Sequence, residues 1–548
     1  MPAMESNSSS SSTTTSLQSS TGASDRSLEL EGPRPKYCID PEDEEELEDV
    51  ERYEPGGFHP LILDEFLCDG RFEVTHKLGQ GGFATIWLCR DHQEDRWCAV
   101  KIIVSSQSSE DGGDLKIMKH LRDRGIDRLA AAAHHVVVPE DHFWIDGPNG
   151  RHLALVTPLL GPTLSCWLKD YKTTIEAMTN FCRQMAKGLQ FLHDNGICHG
   201  DFRPANILLK IRSIDHMTAE EVCELLGGPD GTLVGLTSGE ESSPHAPQYL
   251  VTPGWWGNAI EKGLVLEEIA IVDFGEAFLE GQPPKFSGIP RANGAPEIMY
   301  NQTPSAASDI WALGTSIMHV FGGSFFTGDM LLGTKYLEAS LGPLPVEYRA
   351  DFEEQHRAYL TAQREHEDMC ERNLLKQGLQ EYVDKRPKTE PLAWGLTEAQ
   401  RTDPSHPVSY PSVSELEAAN QTTLDAGHSH RFSHKLASLN ISHFKGPNPR
   451  NDNRGYWYLT PDEVLLFTDL ALKIFRYDGQ ERPTAAQILQ HPCFKEEGVE
   501  SEEADVTEDE DGDAQAVEDE NFMGMGYLQR ALYALWPRPW WYFQTFLV

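Results

Sequence analysis

The stretch His199-Gly200-Asp201-Phe202-Arg203-Pro204-Ala205-Asn206 limits what this chain can fold into more than any other, because it has to act with a distant second motif, Asp273-Phe274-Gly275. Asp201 is a carboxylate suited to taking a proton from a hydroxyl, and Asn206 and Asp273 are oxygen donors suited to Mg²⁺. Phosphoryl transfer from ATP needs such a set: positioned reactants, neutralised charge and one base-like group. His-x-Asp alone is common in ordinary loops. An asparagine five residues after Asp201, the apolar run Ile207-Leu208-Leu209 behind it, and a buried strand Ile269-Ala270-Ile271-Val272 presenting Asp273 give the pattern its weight.

Upstream, residues 72–104 read as three strands. Phe72-Glu73-Val74 runs into Gly79-Gln80-Gly81-Gly82-Phe83-Ala84-Thr85-Ile86-Trp87-Leu88, and Trp97-Cys98-Ala99-Val100-Lys101-Ile102-Ile103 follows a turn at 91–95. Glycine at 79, 81 and 82 lets a hairpin backbone come close to phosphates where a side chain would clash. A Gly-rich hairpin turn is a weak signal by itself. Lys101 is stronger, since a cation within a buried apolar strand needs an anionic partner, and ATP phosphate plus a helix carboxylate supplies one.

The 548 residues are enough for about two to four domains and a sizeable core. A net charge of −40 argues against a general nucleic-acid binder, which needs a basic face. It suits a basic partner, although acidic charge also serves solubility. The ten cysteines are scattered without a Cys-x-x-Cys pair, which predicts a reduced intracellular protein without structural zinc. The N-terminus lacks an apolar core of signal-peptide type, and no run of about 18 apolar residues predicts a spanning helix.

Residues 1–36 are Ser/Thr-rich and 40–51 are acidic, which predicts a disordered tail over 1–50. Order is expected from Tyr53-Glu54-Pro55-Gly56-Gly57-Phe58-His59-Pro60. Helical spacing marks residues 115–121 and 178–193, and 152–160 reads as a strand. Residues 211–268, rich in Gly, Ser, Glu and Pro, read as a mobile surface insertion whose Trp255-Trp256 pair has no legible role. Residues 310–320 read as a buried helix, and 323–458 mix helical patterns with polar stretches. Regular helix spacing returns over 459–494. An acidic tail at 496–520 without Lys or Arg and an aromatic-rich tail at 521–548 follow. Pro537, Pro539, Arg530 and Arg538 break that last segment, which is read as an interfacial or partner-docking tail or as one folded on the surface.

Taken in order, the Gly-rich loop, Ala99-Val100-Lys101, His199 to Asn206, Asp273-Phe274-Gly275, Ala295-Pro296-Glu297, Asp309-Ile310-Trp311-Ala312-Leu313-Gly314 and Glu481-Arg482-Pro483-Thr484-Ala485 resemble a eukaryotic protein kinase from about Arg71 to Phe494. Within kinases the chain is similar to the SR-protein kinase family, in a divergent form of the kind found in fungi. The lead-in Tyr53 to Pro60 resembles that family's Tyr-x-Pro-Gly-Gly-Tyr-His-Pro, Phe83-Ala84-Thr85-Ile86-Trp87-Leu88 resembles Phe-Ser-Thr-Val-Trp-Leu, and Asp273-Phe274-Gly275-Glu276-Ala277 resembles Asp-Phe-Gly-x-Ala. Leu341-Gly342-Pro343-Leu344-Pro345 resembles the wider group that holds cyclin-dependent and MAP kinases.

The resemblance implies an α+β, two-lobed protein-kinase fold. A small lobe over 51–160 would carry a five-stranded antiparallel sheet and one helix. A larger, mainly helical lobe over 161–495 would carry inserts at 211–268 and about 350–455, with ATP in the cleft between the lobes. It implies that Lys101 holds the α- and β-phosphates, that Asp114 takes the slot of the helix Glu paired with that Lys, with Glu110 as the alternative, and that Asp201 orients and deprotonates the hydroxyl. Asn206 and Asp273 would bind Mg²⁺, and Arg203 would replace the usual Lys near the transferred phosphate. Leu78, Gly79, Gln80, Gly81, Gly82, Phe83, Ala84, Ile86, Ala99 and Leu208 would surround the nucleotide, Thr157 would be the gatekeeper, and the Pro158 carbonyl and Leu160 amide would meet adenine. Glu297 and Arg482 would form a buried ion pair.

Four departures carry expectations. Gly200 replaces an arginine that grips an activation-loop phosphate in many kinases, and residues 276–294 hold one hydroxyl, Ser287, which together predict activity without phosphorylation there. Ala84 replaces the third loop glycine, and Pro290 stands where many kinases have a bridging Thr. The expected activity is Ser/Thr phosphorylation of basic, Arg/Ser-rich proteins linked to mRNA splicing by a monomer in the cytoplasm, the nucleus or both, with no direct nucleic-acid contact. A kinase-fold scaffold with little catalysis is the alternative, separable by nucleotide-dependent thermal shift and label transfer. A small-molecule phosphotransferase sharing His-Gly-Asp-x-x-x-x-Asn is a third reading, disfavoured by the downstream Ala295-Pro296-Glu297 and Arg482-Pro483-Thr484 elements.

Overall fold

The computed structural model describes residues 36–39, 47–170, 173–239, 243–321, 334, 337–338, 341–376 and 461–494. The expected tails at 496–520 and 521–548 lie outside these residues, and the insert around 350–455 largely does; within the tail expected over 1–50, Tyr37–Cys38 form a strand and Leu47, Glu48 and Val50 are buried, so ordered structure reaches further upstream than the expected start at Tyr53. The chain divides into two compact units, 35–359 with 395–548, and 1–34 with 360–394. The second is represented only by the last part of the helix Val346–Lys376.

After the two-residue strand β1 (Tyr37–Cys38), a sheet is built from β2 (Phe66–Leu67), β3 (Phe72–Gly81), β4 (Ala84–Asp91), β5 (Arg96–Ile103), β6 (Asp141–Gly147) and β7 (Gly150–Pro158). Its order is β2-β3-β4-β5-β7-β6 with every pairing antiparallel. The sheet has six strands where five were expected; the additional edge, β2, is too short for alternation to register in sequence. Val74, Trp87, Cys89, Cys98, Val100, Ile102, Ala154 and Val156 form one of its cores. The helix α1 (Gly113–Asp123) packs Leu115 against Leu153 and Leu155 of β7.

A helical region follows. Behind α2 (Arg128–Ala133) and α3 (Leu164–Asp170) runs α4 (Ile175–Asp194), begun by the Thr174 hydroxyl accepting from the Ala177 amide. Met178, Phe181, Cys182, Met185, Leu189 and Leu192 recur at three- and four-residue spacing and are all buried. Burying each large apolar side chain contributes roughly 1.5–3 kcal/mol. The short β8 (Ile197–Cys198) ends before the stretch His199–Asn206 and β9 (Ile207–Ile211) begins after it.

The segment between β9 and Asp273 overturns the reading of 211–268 as a mobile surface excursion. It forms α5 (Ala219–Leu225), β10 (Gly231–Leu233), β11 (Gly235–Leu236), β12 (Tyr249–Val251), α6 (Gly257–Glu261) and β13 (Val265–Ile271). Thr218 and Glu221 make a reciprocal capping box at the start of α5. Ile214, Val222, Leu225, Leu226 and Ala259 close over Leu88 and Trp97 of the sheet. The Trp97 indole donates to the Met217 carbonyl at 3.2 Å, the Gly254 amide donates to the Lys77 carbonyl at 2.9 Å, and β11 pairs with β1. Trp256 packs into this cluster while Trp255 stays half-exposed. The apolar residues are too thinly spread among glycines and prolines for a periodic signal, yet they converge once the ends are fixed by β9 and β13.

Beyond β14 (Phe278–Leu279), α7 (Pro296–Met299) and α8 (Ala306–Val320), the helices Pro461–Ile474 and Ala485–Leu489 complete the large core. No described helix is long and apolar enough to cross a membrane.

Candidate active site

Strand register assembles the upper half of the site. Ile86 of β4 lies opposite both Gly79 of β3 and Lys101 of β5, and Lys101 lies opposite Leu155 of β7. The Gly-rich hairpin is thus set one strand away from the lysine. A Cβ added to Gly79 or Gly81 would meet no atom within 4 Å, so the space beside the hairpin is open to a ligand. Leu78, Gln80 and Gly81 end β3, Gly82 and Phe83 form the turn, and Ala84 begins β4. Ala99 stands opposite Thr157 and Cys98 opposite Pro158 at the end of β7, with Leu160 half-buried just beyond. Leu208 lies in β9 opposite Ala270 and bridges to Thr163.

Lys101 Nζ is 2.7 Å from Asp273 Oδ1 and 3.4 Å from Asp114 Oδ2. Burial drives its pKa down, but the two carboxylates outweigh burial and leave it above the ordinary lysine value. Asp273 responds in the opposite sense: burial pushes its carboxyl up, Lys101 more than compensates, and the net shift is down. Glu110 is exposed, and the carboxylates at Lys101 are those of Asp114 and Asp273.

The shorter aspartate reaches the lysine for a visible reason. Gly113, the first residue of α1, packs so tightly that an added Cβ would sit 2.2 Å from the Phe274 carbonyl oxygen and 2.5 Å from that of Gly275. Having no side chain there brings the helix closer, which offsets the methylene Asp lacks relative to Glu. Asp114 Oδ1 then accepts from the Phe274 amide at 3.0 Å, so one carboxylate holds both the lysine and the Asp-Phe-Gly backbone.

The lower half is the stretch His199–Asn206. The Arg203 Nε donates to both Asp201 oxygens at 3.1 and 3.0 Å, and the Asn206 amide donates to the Asp201 carboxylate at 2.8 Å and to its carbonyl at 2.9 Å. Burial raises the Asp201 pKa above the usual aspartate value, with Arg203 and Asn206 opposing it. The two halves are tied through Val272: its amide donates to the Asn206 carbonyl at 3.0 Å, and its carbonyl accepts from His199 Nε2 at 3.1 Å. His199 is fully buried, and its Nδ1 accepts from the Asp201 amide at 3.3 Å. Asp273 itself has φ +64, a left-handed backbone that non-glycine residues adopt only when their surroundings impose it.

Asp309, legible in the sequence only as part of a motif, lies directly under the site. Its buried carboxylate accepts from the His199 amide at 2.7 Å, the Gly200 amide at 3.0 Å and His193 Nε2 at 3.1 Å. A carboxylate near the start of an otherwise apolar helix was the available signal, because a buried charge must be bonded. Gly200 has φ +78, and an added Cβ would lie 2.3 Å from the Glu276 carbonyl oxygen. This backbone therefore admits no arginine at 200. The Glu276 carboxylate accepts from the Gly288 amide at 3.0 Å, and the Ser287 hydroxyl donates to the Gly200 carbonyl at 3.4 Å. Pro290 offers its carbonyl to the amides of Asn293 at 2.8 Å and Gly294 at 2.9 Å. Glu297 and Arg482 meet in two bonds of 2.7 Å.

The protein kinase domain family matches residues 72–222. Serine/threonine-protein kinase spk-1 of Caenorhabditis briggsae is 35% identical over 171 residues, covering 30% of this chain and 15% of its own length. Serine/threonine-protein kinase SKY1 of Saccharomyces cerevisiae is 31% identical over 182 residues, 32% of this chain and 24% of its own. SRSF protein kinase 3 of Homo sapiens is 35% identical over 173 residues, 30% of each chain. The chain thus spans about a third or less of the length of these curated relatives. A solved kinase domain overlaps 80% of this chain and 99% of its own, at a TM-score of 0.41 and 19% identity. Residues 72–222 thus match the protein kinase domain family, and over about 170–180 residues the chain is similar to the SR-protein kinases.

Proposed function

We propose that this chain is a serine/threonine kinase that transfers the γ-phosphoryl group of ATP to hydroxyls in basic, Arg/Ser-rich proteins of mRNA splicing and processing, in the cytoplasm, the nucleus or both. The observation that carries the reading is Lys101 held between Asp114 and Asp273 while Asp201 and Asn206 interlock below, with Val272 joining the two groups. The substrate class rests on the resemblance to SR-protein kinases and on the acidic charge balance.

The residues fit ATP with Mg²⁺. Asn206 uses its NH₂ on Asp201, which leaves its amide oxygen as a donor for a cation, and Asp273 is kept anionic by Lys101. Mg²⁺ held by Asn206 and Asp273 would supply charge neutralisation at phosphate oxygens. Lys101 binds the α- and β-phosphates as a point charge, and the backbone of residues 79–82 covers the phosphates. Asp201 orients the incoming hydroxyl and takes its proton, and Arg203 holds the transferring phosphate with its fork. The test is label transfer from ATP to an Arg/Ser-repeat peptide; wild-type protein labels serine, and absence of label with folded protein would sink the reading.

One observation favours a second reading, a nucleotide-binding scaffold with little catalysis. Both Asp201 oxygens already accept from Arg203. Under that reading Mg·ATP raises the thermal midpoint and no label is transferred.

Two further outcomes follow from the geometry. Gly113→Ala should push α1 off the Asp-Phe-Gly backbone and lower kcat/KM by about 10- to 100-fold, since displacements near 1 Å cost that much. Unchanged kinetics would mean that the close approach of α1 is irrelevant to catalysis. Phosphatase-treated protein should keep its activity, because Glu276 and Ser287 already brace the activation segment and residue 200 has no room for a phosphate-gripping side chain. Abolished activity after that treatment would contradict this.

A further inference from the structure

The Gly-rich hairpin is held from outside by the segment that precedes the sheet. The 3-10 turn Val50–Arg52 is followed by Tyr53 and Phe58, which pack with Val50, Val104 and Leu250 into a separate apolar cluster. Gly57 makes this turn possible: an added Cβ would lie 1.8 Å from the Arg52 carbonyl oxygen, and the Phe58 amide donates to that oxygen at 3.0 Å. The backbone of Arg52 is thereby fixed. Its guanidinium lies over the Phe58 ring at 4.8 Å and over the Phe83 ring at 5.8 Å, and its Nη1 donates to the Gly82 carbonyl. Gly82 and Phe83 are the exposed tip of the hairpin, and Phe83 is 59% exposed. The same lead-in anchors the strand below the tip, where fully buried Lys77 of β3 pairs with buried Glu48, which also accepts from the Tyr53 hydroxyl at 2.6 Å.

Glycines at 79, 81 and 82 give the hairpin tip a large backbone entropy to lose when a ligand orders it; inside the sheet the tip is tied where the Phe83 carbonyl accepts from the Val104 amide at 2.9 Å. We propose that Arg52 is a positioning residue which pins the tip of the Gly-rich hairpin in its phosphate-covering position, so that ATP binds a hairpin already ordered by the lead-in. Arg52 acts through the Gly82 carbonyl and the Phe83 ring. The planar guanidinium suits the task because one group stacks on two rings while donating in its own plane. This inference rests on the ATP-site reading above.

Calorimetric titration of the full chain with Mg·ATP, and separately with adenosine, tests it. Arg52→Met keeps an unbranched side chain between the two rings but cannot donate to Gly82, and Arg52→Lys restores a donor. Arg52→Met should weaken Mg·ATP about tenfold, the loss of one charge-assisted hydrogen bond, while adenosine binding changes less than about twofold because adenosine has no phosphates. Arg52→Lys should recover part of the difference, with all three proteins melting within a few degrees of one another. Equal Mg·ATP affinity in wild type and Arg52→Met overturns the proposal, as does a parallel loss for ATP and adenosine, which would mark a general packing role. Wild-type protein that binds no Mg·ATP would instead sink the reading of the site itself.

Discussion

Asp201→Ala and Lys101→Met each lower label transfer to an Arg/Ser-repeat peptide by about 10²- to 10⁴-fold, the range for a positioned acid–base group or a comparable electrostatic contact. The two variants reach that loss by different routes. Asp201→Ala removes the carboxylate around which Arg203 and Asn206 are arranged, at 3.0 and 2.8 Å, but leaves the lysine cluster untouched. Mg·ATP binding should therefore persist while transfer disappears. Lys101→Met removes the cation between Asp114 and Asp273, leaving two carboxylates facing a polyphosphate without compensation. Nucleotide affinity and transfer should fall together. In wild type, the acid limb of the kcat profile should lie above the usual aspartate range, because burial raises the Asp201 pKa and the protonated form cannot accept the hydroxyl proton. A Lys101→Met protein that transfers at the wild-type rate would remove the foundation of the proposed mechanism.

Breaking the Glu297–Arg482 pair is the largest expected stability effect. Arg482 donates to both Glu297 oxygens at 2.7 Å, to the Ala307 carbonyl at 2.7 Å and to the Arg476 carbonyl at 3.0 Å, and it lies 5.2 Å from the Trp311 ring centroid. Glu297 also accepts from the Ser308 hydroxyl at 2.8 Å. Both residues are buried, so deleting one strands the other's charge away from water. Arg482→Met should cost about 3–5 kcal/mol and lower Tm by roughly 10 °C, measured by calorimetry. The double variant Glu297→Met with Arg482→Met should lose less than the two single losses added, because it leaves no unpaired charge. A single variant melting like wild type would mean that solvent reaches the pair.

Where burial forces a choice of residue, the chain could be read directly. Lys101 in an apolar strand needed an anionic partner, and the expected helix carboxylate, Asp114, stands 3.4 Å away; Asp273, legible only as a Mg²⁺ ligand, is a second partner at 2.7 Å. The helix with apolar spacing over 178–193 is there, one turn longer at its start because Thr174 caps it, and caps leave little periodic trace. Residues 211–268 were misread because composition reports average polarity, whereas Val222, Leu226 and Leu250 act through where they land. Asp309 went unassigned because its three bonds reach back more than 100 residues to groups that carry no mark of needing it.

The division has one physical cause. Sequence by itself determined which groups had to be charged or oxygen-bearing, since burying a charge without a partner is penalised at the position itself. Tertiary structure alone decided which of them meet. The closeness of α1 through Gly113, the reach of Arg52 to Gly82 and the fold of the insert over Leu88 and Trp97 are contacts between irregular segments, where no repeating pattern records the partner.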